Sequence, residues 1–216
     1  MKTYTDTTYG MSEGGMTLSR RQLLLAGVGL GALLPMAGAV AQQADFAAGD
    51  MVLGSADAPI TIIEYASMTC PHCANFHTGT WPDLKEHWID TGKVRFIFRE
   101  FPLDRPGLAA AMLARCGGED RFFPFIDILF KQQARWSRSS DPMASLRAIG
   151  ALGGVTGDRF DKCMTNADLE QLILNNRIEG HQTHKVNSTP TLIINEEKYE
   201  SSHDYETLSA FLEGLG

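Results

Sequence analysis

The sequence predicts an α/β fold: a β-α-β unit, then an inserted all-helical domain, then a β-β-α return. Three observations carry this. Two short β-branched and apolar runs, Ile60-Thr61-Ile62-Ile63-Glu64-Tyr65 and Lys93-Val94-Arg95-Phe96-Ile97-Phe98, flank a segment without strand character. From residue 104 to 186 apolar residues recur at helical spacing only. Strand character then returns at Thr191-Leu192-Ile193-Ile194, ahead of a last amphipathic stretch. Two strands around one helix read as a parallel pair with a right-handed crossover.

The N-terminus differs in kind from the rest. Ser19-Arg20-Arg21-Gln22 leads into an uncharged run from Leu23 to Met36 and then Ala39-Val40-Ala41. A basic region, an apolar region and a small-x-small site describe a secretory signal over residues 1–41, cut after Ala41. The paired arginines and Gly27, Gly29 and Gly31 give it a twin-arginine character. The alternative is a retained membrane anchor, since Leu23 to Ala41 holds nineteen uncharged residues. Pro35 and the glycines weigh against a stable spanning helix. A start at Met16 would give a signal of more usual length.

Residues 42–59 read as a polar lead-in with a turn at Ser55 to Pro59. The run from Ile60 suits a strand buried on both faces. Cys70 to about Asp90 reads as one helix, kinked near Gly79 or Pro82, with Thr69 at the N-cap position. The insertion reads as four or five helices, broken by Gly117-Gly118, Ser137 to Pro142 and Gly153-Gly154. Leu108, Met112 and Leu113 mark the first; Phe122, Phe125, Ile126, Leu129 and Phe130 the second. Leu146, Ile149 and Leu152 come next, and then Leu169, Leu172, Ile173 and Ile178. After Thr191 to Ile194, a short polar strand is expected around Lys198-Tyr199-Glu200. Tyr205, Leu208, Phe211, Leu212 and Leu215 form one face of the closing helix.

The 216 residues are enough for one domain carrying an insertion, with 44% apolar and 21% charged residues as in globular proteins. The net charge of −7, with no basic stripe after the N-terminal region, argues against nucleic acid as a partner.

The chemistry concentrates at Cys70-Pro71-His72-Cys73. A metal site needs a second cysteine knuckle or a histidine pair to complete four ligands. Cys116 and Cys163 stand alone here, and His181 with His184 is the only candidate pair. A redox site needs one C-x-x-C at a helix N-terminus after a strand, which this sequence supplies. The helix amides would stabilise a Cys70 thiolate. Pro71 suits a first helical turn, and a protonated His72 would add a positive charge beside Cys70. A stabilised thiolate favours the reduced form, so the disulfide would be oxidising. Neither metal nor cofactor is called for.

The C-x-x-C after an apolar strand, the long helical insertion, and Thr189-Pro190 before the next strand resemble the DsbA-like branch of the thioredoxin superfamily. Arg115-Cys116-Gly117-Gly118-Glu119 with Phe122 and Phe123 resembles its DsbA-like, or thioredoxin-4, subgroup. The resemblance implies a thioredoxin fold formed by residues 60–103 and 187–216, interrupted by a helical domain at 104–186. It implies a monomeric periplasmic enzyme oxidising cysteine pairs of exported proteins, and recycled by a DsbB-like membrane reoxidase. Cys70 would be the attacking, solvent-facing thiol and Cys73 the buried resolving thiol. Pro190 would be a cis-proline facing them, with Thr189 and Pro190 pairing to an extended substrate segment. Glu64 would be a buried acid exchanging a proton with Cys73, the alternative being a surface strand-end residue. Thr189 resembles the disulfide isomerases as much as the main oxidase, so isomerase or reductase activity is the nearest rival; a periplasmic metal-binding protein is more distant. The other two cysteines, Cys116 and Cys163, are expected to pair in an oxidising compartment, the alternative being buried free thiols.

Overall fold

The computed structural model describes residues 48–215. The signal reading of residues 1–41 and the Ala41 site lie outside the described residues. A five-stranded mixed sheet runs through the described part, in the order β1-β3-β2-β4-β5. Its strands are β1 (Met51–Leu53), β2 (Ile60–Ala66), β3 (Val94–Glu100), β4 (Thr191–Ile194) and β5 (Glu197–Lys198).

β2 and β3 pair in parallel from Ile60↔Val94 to Ala66↔Glu100. β4 lies antiparallel on the other side of β2, with Glu64 opposite Leu192. β2 is therefore central, and its apolar, β-branched composition suits a strand covered on both faces. β1 corrects the lead-in reading of residues 42–59. Met51-Val52-Leu53 pairs antiparallel with β3, and three residues are too few to display a period. Gly54 ends that strand at φ +88°, where an added Cβ would meet the Val94 carbonyl oxygen. β5 is shorter than expected, with Tyr199 and Glu200 outside it. Asn195 and Glu196, both at positive φ, make the tight turn from β4.

The helix after Cys70 is three pieces rather than one kinked rod. α1 (Pro71–Thr78) stops at Gly79, and α2 (Thr80–Leu84) passes into a π-helical turn over Lys85–Ile89. The break falls at Gly79; Pro82 sits in the first turn of α2, where its missing N–H costs little. Cys70, not Thr69, is the N-cap of α1, and no side chain caps it. The Thr69 hydroxyl instead lies 3.2 Å from that of Ser67.

Six helices occupy residues 105–183: α3 (Arg105–Cys116), α4 (Glu119–Lys131), α5 (Gln133–Ser137), α6 (Pro142–Leu152), α7 (Gly157–Met164) and α8 (Ala167–Thr183). The sequence reading undercounts them, because the breaks at Gln132 and at Thr165-Asn166 carry no glycine or proline. Asp104, Asp141 and Asn166 cap α3, α6 and α8 through their side chains. Ile178 is exposed rather than part of the inward face of α8. The far end of that helix meets the sheet through Gly180, whose missing side chain makes room for the Tyr65 ring. The closing helix α9 (Tyr205–Glu213) buries Leu208 and Leu212, while Phe211 and Leu215 are exposed, contrary to the expected single face. Arg115 of α3 and Glu100 at the end of β3 form a buried ion pair, with the Arg115 Nε–H and an Nη–H each donating to one carboxylate oxygen. No helix among the described residues is long and apolar enough to cross a membrane.

Candidate active site

β2 ends at Ala66, and a four-residue loop brings Cys70 to the start of α1. The Cys70 amide donates to the Ser67 carbonyl at 3.1 Å, closing a turn between strand and helix. Both cysteines are free thiols. The Cys70 thiol donates to the Thr189 carbonyl at 3.2 Å, across a cis Thr189–Pro190 bond. Thr189 and Pro190 are both buried against this corner.

The two sulfurs occupy opposite electrostatic environments. Cys70 is held down to about 5. The hydrogen bond from the Cys73 thiol is the main cause, and burial opposes it. The backbone N–H groups of Cys73 and His72 add to it. Cys73, fully buried, is pushed well above the ordinary thiol value. Burial dominates there, followed by the hydrogen bond to Cys70 and the negative charge of Glu64.

Glu64 lies in the sheet between Phe98 and Leu192 on the neighbouring strands, wholly shielded from solvent. Its Oε2 is 2.8 Å from Nε2 of His77, itself buried on α1. The surface-residue alternative for Glu64 is thus excluded. A second buried amide holds the loop from behind: Gln133 of α5 donates Nε2–H to the carbonyls of Met68, at 2.9 Å, and Cys70, at 2.8 Å.

This arrangement sits within a span, residues 47–214, that matches the family model described as thioredoxin. The chain belongs to the DsbA-like branch of the thioredoxin superfamily. A protein of Rickettsia bellii, named provisionally a protein-disulfide oxidoreductase, is 40% identical over 147 residues, which are 68% of this chain and 57% of that protein. The match thus spans little more than half the length of that relative. Disulfide bond formation protein D of Bacillus subtilis is 27% identical over 175 residues, covering 76% of each chain. Among solved structures, alpha-DsbA1 of Wolbachia pipientis superposes with a TM-score of 0.72 at 33% identity, over 77% of this chain and 90% of that one.

In this DsbA-like protein the residues singled out from sequence fall into two places. Cys70, Pro71, His72, Cys73, Glu64, Thr189 and Pro190 gather at the ends of β2 and β4 and the start of α1. Cys116 and Cys163 form a disulfide joining α3 to α7, with Cα atoms 6.1 Å apart. Cys70 is less open to solvent than expected, at 6% exposure against 0% for Cys73. His72 is exposed, and its backbone N–H is what favours the Cys70 thiolate. No group of three or more His, Cys, Asp or Glu side chains among the described residues is arranged to hold a metal.

Two further residues were not singled out. His77 follows Cys73 by four positions, so helical spacing alone places both on one face of α1. Gln133 left no sequence signal, because it reaches the loop from 63 residues away.

Proposed function

We propose that this DsbA-like protein is an exported thiol–disulfide oxidoreductase that oxidises cysteine pairs of exported proteins. One observation carries the reading: the paired thiols are split, with Cys70 held at about 5 and buried Cys73 pushed far up. In the oxidised enzyme a substrate thiolate attacks the Cys70 sulfur, and the Cys70–Cys73 bond breaks. The bonding pair goes to the Cys73 sulfur, which takes up a proton because a buried thiolate is costly. A second substrate thiolate then attacks the substrate sulfur of the mixed disulfide, forming the substrate's disulfide. Cys70 departs as a thiolate, a good leaving group because its acidity is high. Glu64 supplies the proton taken up by Cys73. The Thr189–Pro190 backbone lines the corner that an extended substrate would occupy.

Stabilising the Cys70 thiolate stabilises the dithiol form, which makes the disulfide oxidising and sets the direction. The reduced enzyme then returns to the disulfide by exchange with a DsbB-like membrane partner. Periplasmic location rests on the sequence of residues 1–41. A reductase or isomerase role is the second reading, favoured by Thr189 before the cis-proline, where this chain resembles the disulfide isomerases.

The test is oxidation of a reduced dithiol peptide by the purified disulfide form, with the reduction potential of the Cys70–Cys73 couple. Oxidation is expected, lost in Cys70→Ser, with a potential well above the roughly −270 mV of thioredoxin. A potential at or below that value would move the assignment to a reductase. Full activity in Cys70→Ser would remove the site altogether.

A further inference from the structure

Glu64 and His77 form a closed pair inside the protein. Both side chains are fully shielded, and among the described residues the 2.8 Å contact between Glu64 Oε2 and His77 Nε2 is the only side-chain hydrogen bond either makes. Glu64 Oε1 and His77 Nδ1 are buried without partners among the described residues. The imidazole lies in an aromatic box: stacked on Phe130 at 4.3 Å and 20°, with Trp81, Phe76 and Phe98 around it at 5.2, 5.5 and 5.9 Å.

These positions decide where protons can sit. An imidazolium would carry an N–H at Nδ1 with nothing to receive it, in apolar surroundings that disfavour charge. A neutral ring with its hydrogen on Nε2 avoids both costs, because an unpaired lone pair at Nδ1 is cheaper than an unpaired donor. That tautomer donates to Oε2 and fixes the carboxyl group. Oε1 is left as the one atom of the pair free to gain or lose a proton.

We infer that His77 is a positioning residue for the proton transfer at Cys73, holding Glu64 through a neutral Nε2–H so that Oε1 alone carries the exchanged proton. The inference rests on the thiol–disulfide reading of the site. When the Cys70–Cys73 bond breaks, Cys73 receives the electron pair and the Oε1 proton, and Glu64 becomes a carboxylate steadied by His77. In the reverse step Oε1 takes the proton back as Cys73 attacks. The other titratable groups facing the pair are Cys73 on α1 and His203, whose ring is 6.2 Å from that of Phe76. Burial lowers the His203 pKa, while Glu64 opposes that shift. The helices and strands around the pair otherwise present Phe130, Trp81, Phe98 and Leu192.

His77→Phe keeps the aromatic packing and removes the donor; His77→Gln restores an N–H at similar reach. In pH profiles of dithiol peptide oxidation, His77→Phe should slow the reaction about tenfold and change the shape of the profile, since the buried Glu64 carboxyl loses the donor that orients it. His77→Gln should return it close to wild type. An unchanged profile in folded His77→Phe overturns the inference. Should His77→Phe not fold, nitrogen-15 NMR of the intact wild-type protein decides. A His77 signal of the neutral Nε2–H form at the pH of the oxidation assay supports the inference, and an imidazolium or a neutral Nδ1–H ring overturns it. The NMR measurement needs no turnover, so an absence of oxidation activity would fail the proposed function without touching this result.

Discussion

Cys70 and Cys73 differ less in chemistry than in what surrounds them. Cys70, at the N-cap of α1, receives a hydrogen bond from Cys73 and backbone N–H groups from His72 and Cys73. Cys73, one turn further in, meets desolvation and the charge of Glu64. Alkylation by iodoacetamide reads this directly, because the thiolate is the reacting species. Quenched mass spectrometry of the reduced protein should find modification at Cys70 with a midpoint near pH 5. Cys73 should stay unmodified through pH 8. Equal labelling of both sulfurs would contradict the split that the proposed function depends on. The four residues of the C-x-x-C were legible because their chemistry is local: a helix start after a strand is written in sequence order. Glu64 was legible as a position but not as a pair, since helical spacing puts His77 beside Cys73 without saying which strand residue lies opposite.

The strands β2, β3 and β4 were legible because burial on both faces demands continuous apolar, β-branched runs. β1 was not, since its ladder with β3 rather than its composition makes it a strand. Helix α5 shows the same limit in reverse. Its first residue, Gln133, is polar in sequence yet buried in place, and its amide satisfies the Met68 and Cys70 carbonyls. Gln133→Leu should strand two buried acceptors at a cost of about 2–4 kcal/mol, read as a lower urea midpoint. It should also slow peptide oxidation, because the loop before Cys70 loses its rear support. An unaltered midpoint would show that the two carbonyls find other donors. The Cys116–Cys163 link acts on a different element pair, α3 and α7. Replacing both by Ala should cost roughly 4 kcal/mol in the chain-entropy account of a loop of this size. The Cys70 alkylation midpoint should stay put, since none of the groups that set it lies on those helices. A shifted midpoint would mean that the link reaches the active site.

For the molecule as a whole, the thiol split makes stability depend on both redox state and pH. The Cys70 value is depressed in the folded dithiol form, to about 5. A group depressed on folding contributes stability that is complete above its unfolded value, near 8.5 for a free thiol, and is lost as pH falls through the folded value. The disulfide form has no such group to titrate. Between about pH 5 and 8.5 the dithiol protein should therefore gain stability with rising pH relative to the disulfide protein. Below pH 5 that contribution should be absent. Above about 8.5 the Cys70 contribution is complete and the difference should fall with rising pH, because Cys73 binds its proton more tightly folded than unfolded. Both forms share the sheet, the helices and the Cys116–Cys163 link, so titrating groups outside the active site largely cancel in the difference. Thermal denaturation of the two redox forms side by side, from pH 4 to 9, measures it. A difference that stays flat from pH 5 to 8 would mean that the Cys70 thiolate is not preferentially stabilised in the fold. The oxidising direction would then lose its physical basis.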